Sequence, residues 1–382
     1  MPSSSPVVFF IAGDPSGDLH AARVIQRLTR STPGVRCIGI GGPEMQRQGF
    51  ESLLPFDKFN RMGFVEVLRH LPFFLKARAR IIGEMQRLQP RVCVLVDYPG
   101  FNMGIMKAAK QRGIPVLWYI VPQVWAWKRK RSAVLGRHAD IIATAFPFET
   151  AYFSGYPARH YFVGHPLVEQ MLPRLPSRIP RQPANASVPD TISRIALIPG
   201  SRGQEIRIML PRMVRAFALL KERYPAITAL VSRYPHGNND LFASLQTHHS
   251  DITVCSDPLP DILGSCDCAF VTSGTATLQT ALMQVPMVIV YRTSALTYLL
   301  LKRFVHLPFI GLPNIVAGEK IVPECIQEQA TPQHLAYTMR RYFEDPDLYR
   351  CTVAHLADIR AHLGSKSPST QVSEFIRSYC NE

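Results

Sequence analysis

Several absences narrow what this 382-residue chain can do. Its eight cysteines include no C-x-x-C pair, and none of its 12 histidines has a histidine four residues away. The usual zinc and iron-sulfur spacings are therefore missing, so no metal site is expected and the thiols read as buried and reduced. No uninterrupted apolar run approaches the ~18 residues that a bilayer-spanning helix needs. The start (Met1, Pro2, then Ser3 to Ser5) has no basic region of a signal peptide, and residues 7–12 read as a first strand. That strand is not followed by G-x-G-x-x-G, which argues against a nicotinamide or flavin cofactor. Helix-turn-helix, zinc-finger and RNA-recognition signatures are missing too, as are repeats of solenoid period.

What is present is an ordinary globular composition, 47% hydrophobic and 19% charged, on a chain too long for one core. Two domains are expected. The net charge of +15 calls for an anionic partner: nucleic acid, anionic lipid or a phosphorylated small molecule. Basic residues sit among bulky apolar ones. Phe64, Leu68, Leu71, Phe73 and Phe74 run into Lys76, Arg78 and Arg80, and residues 299–305 repeat the mixture. That pattern suits an anionic membrane surface better than a duplex, so no nucleic acid is expected. The alternative for the first segment is a buried helix with a basic outer face.

Short apolar segments alternate with helical ones from residue 7 to residue 145, and the alternation restarts at 195. This predicts α/β architecture with parallel, doubly wound sheets. A Pro-rich stretch, 173–193, reads as the linker between a domain at 1–172 and another at 194–364. A helix within 365–382 is expected to pack back on the first domain.

Candidate site residues cluster where strands end, the place ligands occupy in open α/β sheets. Gly13, Asp14, Ser16, Gly17 and Asp18 follow the first strand, as a capped turn or as a site. Asp97 closes the apolar segment 92–96, placed either to act as a general base or to cap a turn. Partial desolvation there would raise its pKa. Gln123 and Trp125 end another strand, and the indole can stack on a sugar or pack in the core. In the second half Gly200, Ser201 and Arg202 can approach an anion, with Arg202 able to grip a diphosphate. Ser273, Gly274, Thr275 and Thr277 form a strand–turn–helix start whose free N–H groups suit phosphate. Asn314 and Glu319, with Glu324 and Gln327 beyond, are placed to face a sugar or ribose, or else to begin a solvated helix.

In order and spacing, the segments 12–18, 97–102, 123–127, 164–166, 198–205, 273–278 and 312–324 resemble the lipid-A-disaccharide synthase family. The resemblance implies a GT-B fold, two Rossmann-like domains facing each other across a cleft. It implies an inverting transfer from UDP-2,3-diacylglucosamine to the 6-hydroxyl of 2,3-diacylglucosamine 1-phosphate (lipid X), giving a β-1′,6 disaccharide phosphate and UDP. Asp97 would be the base, and Arg202 with the turn at Ser273 to Thr275 would meet the leaving diphosphate without a metal. Asn314 and Glu319 would touch the donor. Acylated substrates imply a peripheral enzyme on the inner face of the inner membrane, whether single or a homodimer. The chain departs from the family pattern at Asp14, where a Glu is common, and at Gln279, where a ribose-binding Glu is usual. A UDP-sugar 2-epimerase and a non-catalytic membrane-binding module are the competing readings.

Overall fold

The computed structural model describes residues 5–60, 71–125, 130–175, 192–233, 239–294, 298, 307–364 and 367–381. Phe64, Leu68 and the segment 299–305 lie outside the described residues. The chain divides into two compact units, Met1–Glu169 with Gly364–Glu382, and Gln170–Leu363.

The first unit is built on seven strands, β1 (Val7–Ala12), β2 (Arg36–Ile40), β3 (Glu51–Ser52), β4 (Val92–Val96), β5 (Val116–Tyr119), β6 (Ile141–Thr144) and β7 (Arg159–Phe162). They lie in the order β3-β2-β1-β4-β5-β6-β7, every pairing parallel. All five residues of β4 are buried, as a central strand covered on both faces requires, which is why it reads as an unbroken aliphatic run. Chain order turns back between β1 and β4, where Ala12 pairs with Val96, so this is the sheet's switch point.

Helices cover both faces. On one side α1 (Pro15–Ser31) packs Ala21, Val24, Ile25 and Leu28 in a cluster that also holds Val372 and Ile376 of the C-terminal helix, Pro368–Cys380. That helix is fastened at its start. The Glu169 carboxylate accepts from Ser367 Oγ at 2.6 Å and Ser369 Oγ at 2.5 Å, and Arg27 reaches it at 3.3 Å. On the other side lie α2 (Leu71–Leu88) and α3 (Pro99–Lys110).

Helix α2 corrects part of the expected membrane patch. Phe73 and Phe74 are only half exposed, because their rings pack edge-on to Phe59 at 5.2 and 5.8 Å, and Phe74 also meets Phe101 at 6.1 Å. They contribute to the core of the first unit. Leu71 and Leu75 are large apolar residues that α2 leaves outside, at 48% and 57% exposure, beside exposed Lys76, Arg78 and Arg80.

The second unit repeats the architecture with β8 (Arg194–Ile198), β9 (Thr228–Ser232), β10 (Ile252–Cys255), β11 (Cys268–Thr272), β12 (Met287–Tyr291) and β13 (Glu324–Ile326). Their order is β10-β9-β8-β11-β12-β13, again wholly parallel, with the switch point between β8 and β11. Helix α4 (Gly203–Arg223) follows β8 and α5 (Thr275–Leu282) follows β11.

Candidate active site

Both switch points are lined by residues that the sequence singles out. In the first unit, the turn after β1 carries Asp14, whose carboxylate caps α1 by accepting from Gly17 N at 2.7 Å. The turn after β4 carries Asp97, half-buried. Burial first, then the negative charge of Asp14, push the Asp97 carboxyl up to about 7, against the pull of a Tyr98 backbone bond and the Arg131 guanidinium. A carboxyl raised toward neutrality at a strand end, with a second acid at the neighbouring strand end, suits general base chemistry near neutral pH. Burial lowers the Arg131 pKa, and Asp97 offsets part of that.

Glu149 is an acid that the sequence reading passes over. It is buried after β6, where it accepts from Trp125 Nε1 at 3.0 Å, Ala145 N at 3.1 Å and Phe146 N at 3.0 Å. Burial pushes it up to about 8, with the Asp97 charge adding to the rise. A lone acid inside a mostly apolar stretch, Ala145 to Phe153, was the available signal. His20 and His165 were also unassigned. Burial lowers them to about 4 and about 3, so both imidazoles are neutral.

Several expected contacts turn out to be scaffolding. Trp125 is buried edge-on to Phe148 at 5.4 Å, with its N–H held by Glu149, so it cannot present a face to a sugar. Asp18 is buried too. Its carboxylate accepts from Gly42 N, Glu44 N and Met45 N at 2.8, 3.0 and 3.1 Å, fixing the β2 loop rather than a ligand. Gly17 is buried within α1. Gly13 is required by packing, since a Cβ there would lie 2.5 Å from the Tyr98 ring. Ser16 and Gln123 are exposed.

In the second unit, Gly200 has φ 101° and a Cβ there would stand 2.7 Å from Glu205 Oε2, so the loop needs glycine. Ser201 and Arg202 follow at the start of α4, and the Arg202 side chain is 82% exposed, leaning on Glu205 at 3.2 Å. At the start of α5, Gly274 and Thr275 are exposed while Gln279 is half-buried. Ser273 Oγ donates to Ile310 O at 3.0 Å and so ties down a neighbouring loop. Buried Thr277 returns its hydroxyl to Gly274 O at 2.7 Å. These bonds shape the turn, leaving helix N–H groups as its means of meeting an anion.

Asn314 is a clear correction. It is fully buried, its Nδ2 donates to Val322 O and Glu324 Oε1 at 2.9 and 2.8 Å, and its Oδ1 accepts from Ile321 N and Val322 N. Every hydrogen-bonding position of the amide is filled, leaving none for a donor sugar. Glu324 is likewise occupied by Ile310 N and Gly311 N, and Gln327 by Thr293. Glu319 is exposed. Among the described residues no cluster of His, Cys, Asp or Glu could hold a metal ion.

The sequence model of lipid-A-disaccharide synthetase matches residues 8–369. The chain belongs to the lipid-A-disaccharide synthase family. It is 38% identical over 372 residues to the enzyme of that name from Geobacter metallireducens, covering 97% of this chain and 96% of that one. It is 37% identical over 347 residues to the Neisseria gonorrhoeae enzyme, covering 90% and 88%. Among solved structures it is similar to a UDP-GlcNAc 2-epimerase from Neisseria meningitidis bound to UDP-GlcNAc, with TM-score 0.62, 11% identity and 98% and 100% coverage. The calicheamicin glycosyltransferase CalG4 gives TM-score 0.61 at 14% identity, with 99% of each chain covered. The fold is GT-B, and the protein is a glycosyltransferase of lipid A biosynthesis.

Proposed function

We propose that this lipid-A-disaccharide synthase uses Asp97 to deprotonate the 6-hydroxyl of 2,3-diacylglucosamine 1-phosphate. The resulting oxygen attacks the anomeric carbon of UDP-2,3-diacylglucosamine, the bond to UDP breaks, and the β-1′,6 linkage forms. The observation that carries this reading is the Asp97 carboxyl at the β1/β4 switch point, raised to about 7 by burial and by Asp14. Such a group is ionised often enough near neutrality to accept a proton, and basic enough to hold it.

The donor belongs to the second unit. Exposed Arg202 and the N-terminus of α5 at Gly274 and Thr275 would meet the negative charge that grows on the departing diphosphate. Gln279 can offer the ribose a neutral hydrogen bond. Leu71 and Leu75 with Lys76, Arg78 and Arg80 form the surface that would meet anionic lipid on the inner face of the inner membrane. Among the described residues no helix is long and apolar enough to cross a membrane.

UDP release on mixing both acylated substrates, compared with each alone, tests the reaction. Release requiring both supports transfer. Release from the donor alone, or appearance of a 2-epimer from UDP-GlcNAc, would overturn it.

A further inference from the structure

Asp97 and Tyr98 are consecutive non-glycine residues with φ of 41° and 48°. This left-handed region crowds an L side chain against its own backbone and persists only where the surroundings enforce it. Some of the enforcement is plain. Asp97 N donates to Tyr119 O at 3.0 Å, and Tyr98 Oη donates to Phe59 O at 3.1 Å, with the Tyr98 ring closed over Gly13.

Phe101 N and Asn102 N also donate to Tyr98 O, at 3.2 and 3.1 Å, and a further tie is a side chain. Asn102 Nδ2 lies 2.8 Å from Asp97 O, 3.3 Å from Val96 O and 3.4 Å from Ile11 O. Three carbonyl oxygens on one side of the amide require a nitrogen there. Asn102 is fully buried and its Oδ1 has no partner. A buried, unpaired carbonyl is unfavourable, so the amide must supply something that an apolar side chain of equal size could not. The oxygens it gathers belong to the ends of β1 and β4, the strands that lead into Asp14 and Asp97.

We propose that Asn102 is a positioning residue: its carboxamide locks the left-handed Asp97–Tyr98 backbone and thereby holds the Asp97 carboxylate at the β1/β4 strand ends. This rests on the reading of Asp97 as the base. The charged and titratable groups around that carboxylate are Asp14 from the start of α1, Arg131 from helix Lys130–His138 and Glu149 from the turn after β6, with the Tyr98 backbone N–H bonded to it. Without the amide, Asp97 relaxes toward ordinary φ and its carboxylate leaves this setting for water. Its titration then returns toward the usual carboxylate range, and the acceptor hydroxyl loses its base.

The test is turnover from about pH 5 to about pH 9 for the wild type, Asn102→Leu, Asn102→Asp and Asp97→Asn, with UDP binding measured alongside. Asn102→Leu keeps the volume but has no donor. It is expected to lose about 10²-fold in kcat, the scale of a misplaced catalytic group, with its acid limb moved down in pH and UDP affinity unchanged. Asn102→Asp donates only while protonated, so its activity falls with rising pH where that of the wild type rises. A folded Asn102→Leu protein with the wild-type pH profile overturns the positioning role, even if it melts earlier. Should that variant not fold, a rising, wild-type profile for Asn102→Asp overturns it instead. Full turnover by Asp97→Asn overturns the base assignment and the positioning role together.

Discussion

Replacing Asp97 by Asn should slow the enzyme and stabilise it, and the second effect should depend on pH in one direction. The carboxyl titrates near 3.8 when unperturbed and at about 7 in the fold, chiefly because ionising it there means leaving water next to Asp14. Between those two values the native state holds a proton that the unfolded chain has released. Stability therefore falls as pH rises through this window, and the loss is complete once pH exceeds about 7. Each pH unit of difference is worth about 1.4 kcal/mol, and a half-buried group keeps some of its water. Wild type should thus give up roughly 2–4 kcal/mol by pH 9 that the neutral Asn variant keeps. For a unit of this size that raises the variant's Tm by about 5–12 °C at pH 9, with little difference near pH 4. Turnover should drop about 10²–10⁴-fold while UDP still binds. Melting curves at several pH values, read beside UDP release, decide it. A Tm difference that ignores pH would refute the assignment of the raised pKa to Asp97, and an unchanged rate would refute its role as base.

Arg202→Ala should weaken UDP binding by about 10–100-fold through loss of a charge-assisted bond, and leave Tm within about a degree, since the guanidinium that pairs with Glu205 is itself 82% exposed. Isothermal titration with UDP reads the first and calorimetric melting the second. Asn314→Ala removes four buried hydrogen bonds and should destabilise the second unit by about 3 kcal/mol or more, seen in urea unfolding, with any loss of activity following from the loss of fold. Leu71→Ser with Leu75→Ser should reduce binding to anionic liposomes at unchanged Tm. Phe73→Ser with Phe74→Ser should lower Tm, because those rings pack on Phe59. Equal liposome binding by the Leu71 and Leu75 variant would remove this surface from the membrane proposal.

The strand-end placement of the first-unit candidates was legible because its logic is local. An apolar run that stops at Asp97, or a glycine turn ahead of a helical pattern, puts a residue at a strand end whatever the rest of the fold does. What escaped depends on neighbours distant in sequence. Asn314 and Glu324 read as surface groups near a ligand, yet the chain between these two residues, ten positions apart, folds them onto each other at 2.8 Å. Trp125 and Glu149 are 24 residues apart and find each other in the core. Phe73 and Phe74 look like half of an exposed patch until Phe59 and Phe101 arrive from other elements to cover them.

The sequence by itself determined the α/β alternation, the strand-end motifs and the family. Those rest on periodicity and on short motifs whose order survives along the chain. Only the tertiary structure decided which polar residues are free to act. An Asp, Asn or Glu looks the same in sequence whether its lone pairs face a substrate or a backbone amide, and buried polar groups must find partners. The fold gave Asp18, Asn314 and Glu324 to the backbone and left Arg202 exposed. It gave Asp97 its distinctive titration by burying it beside a second acid that lies 83 residues earlier in the chain.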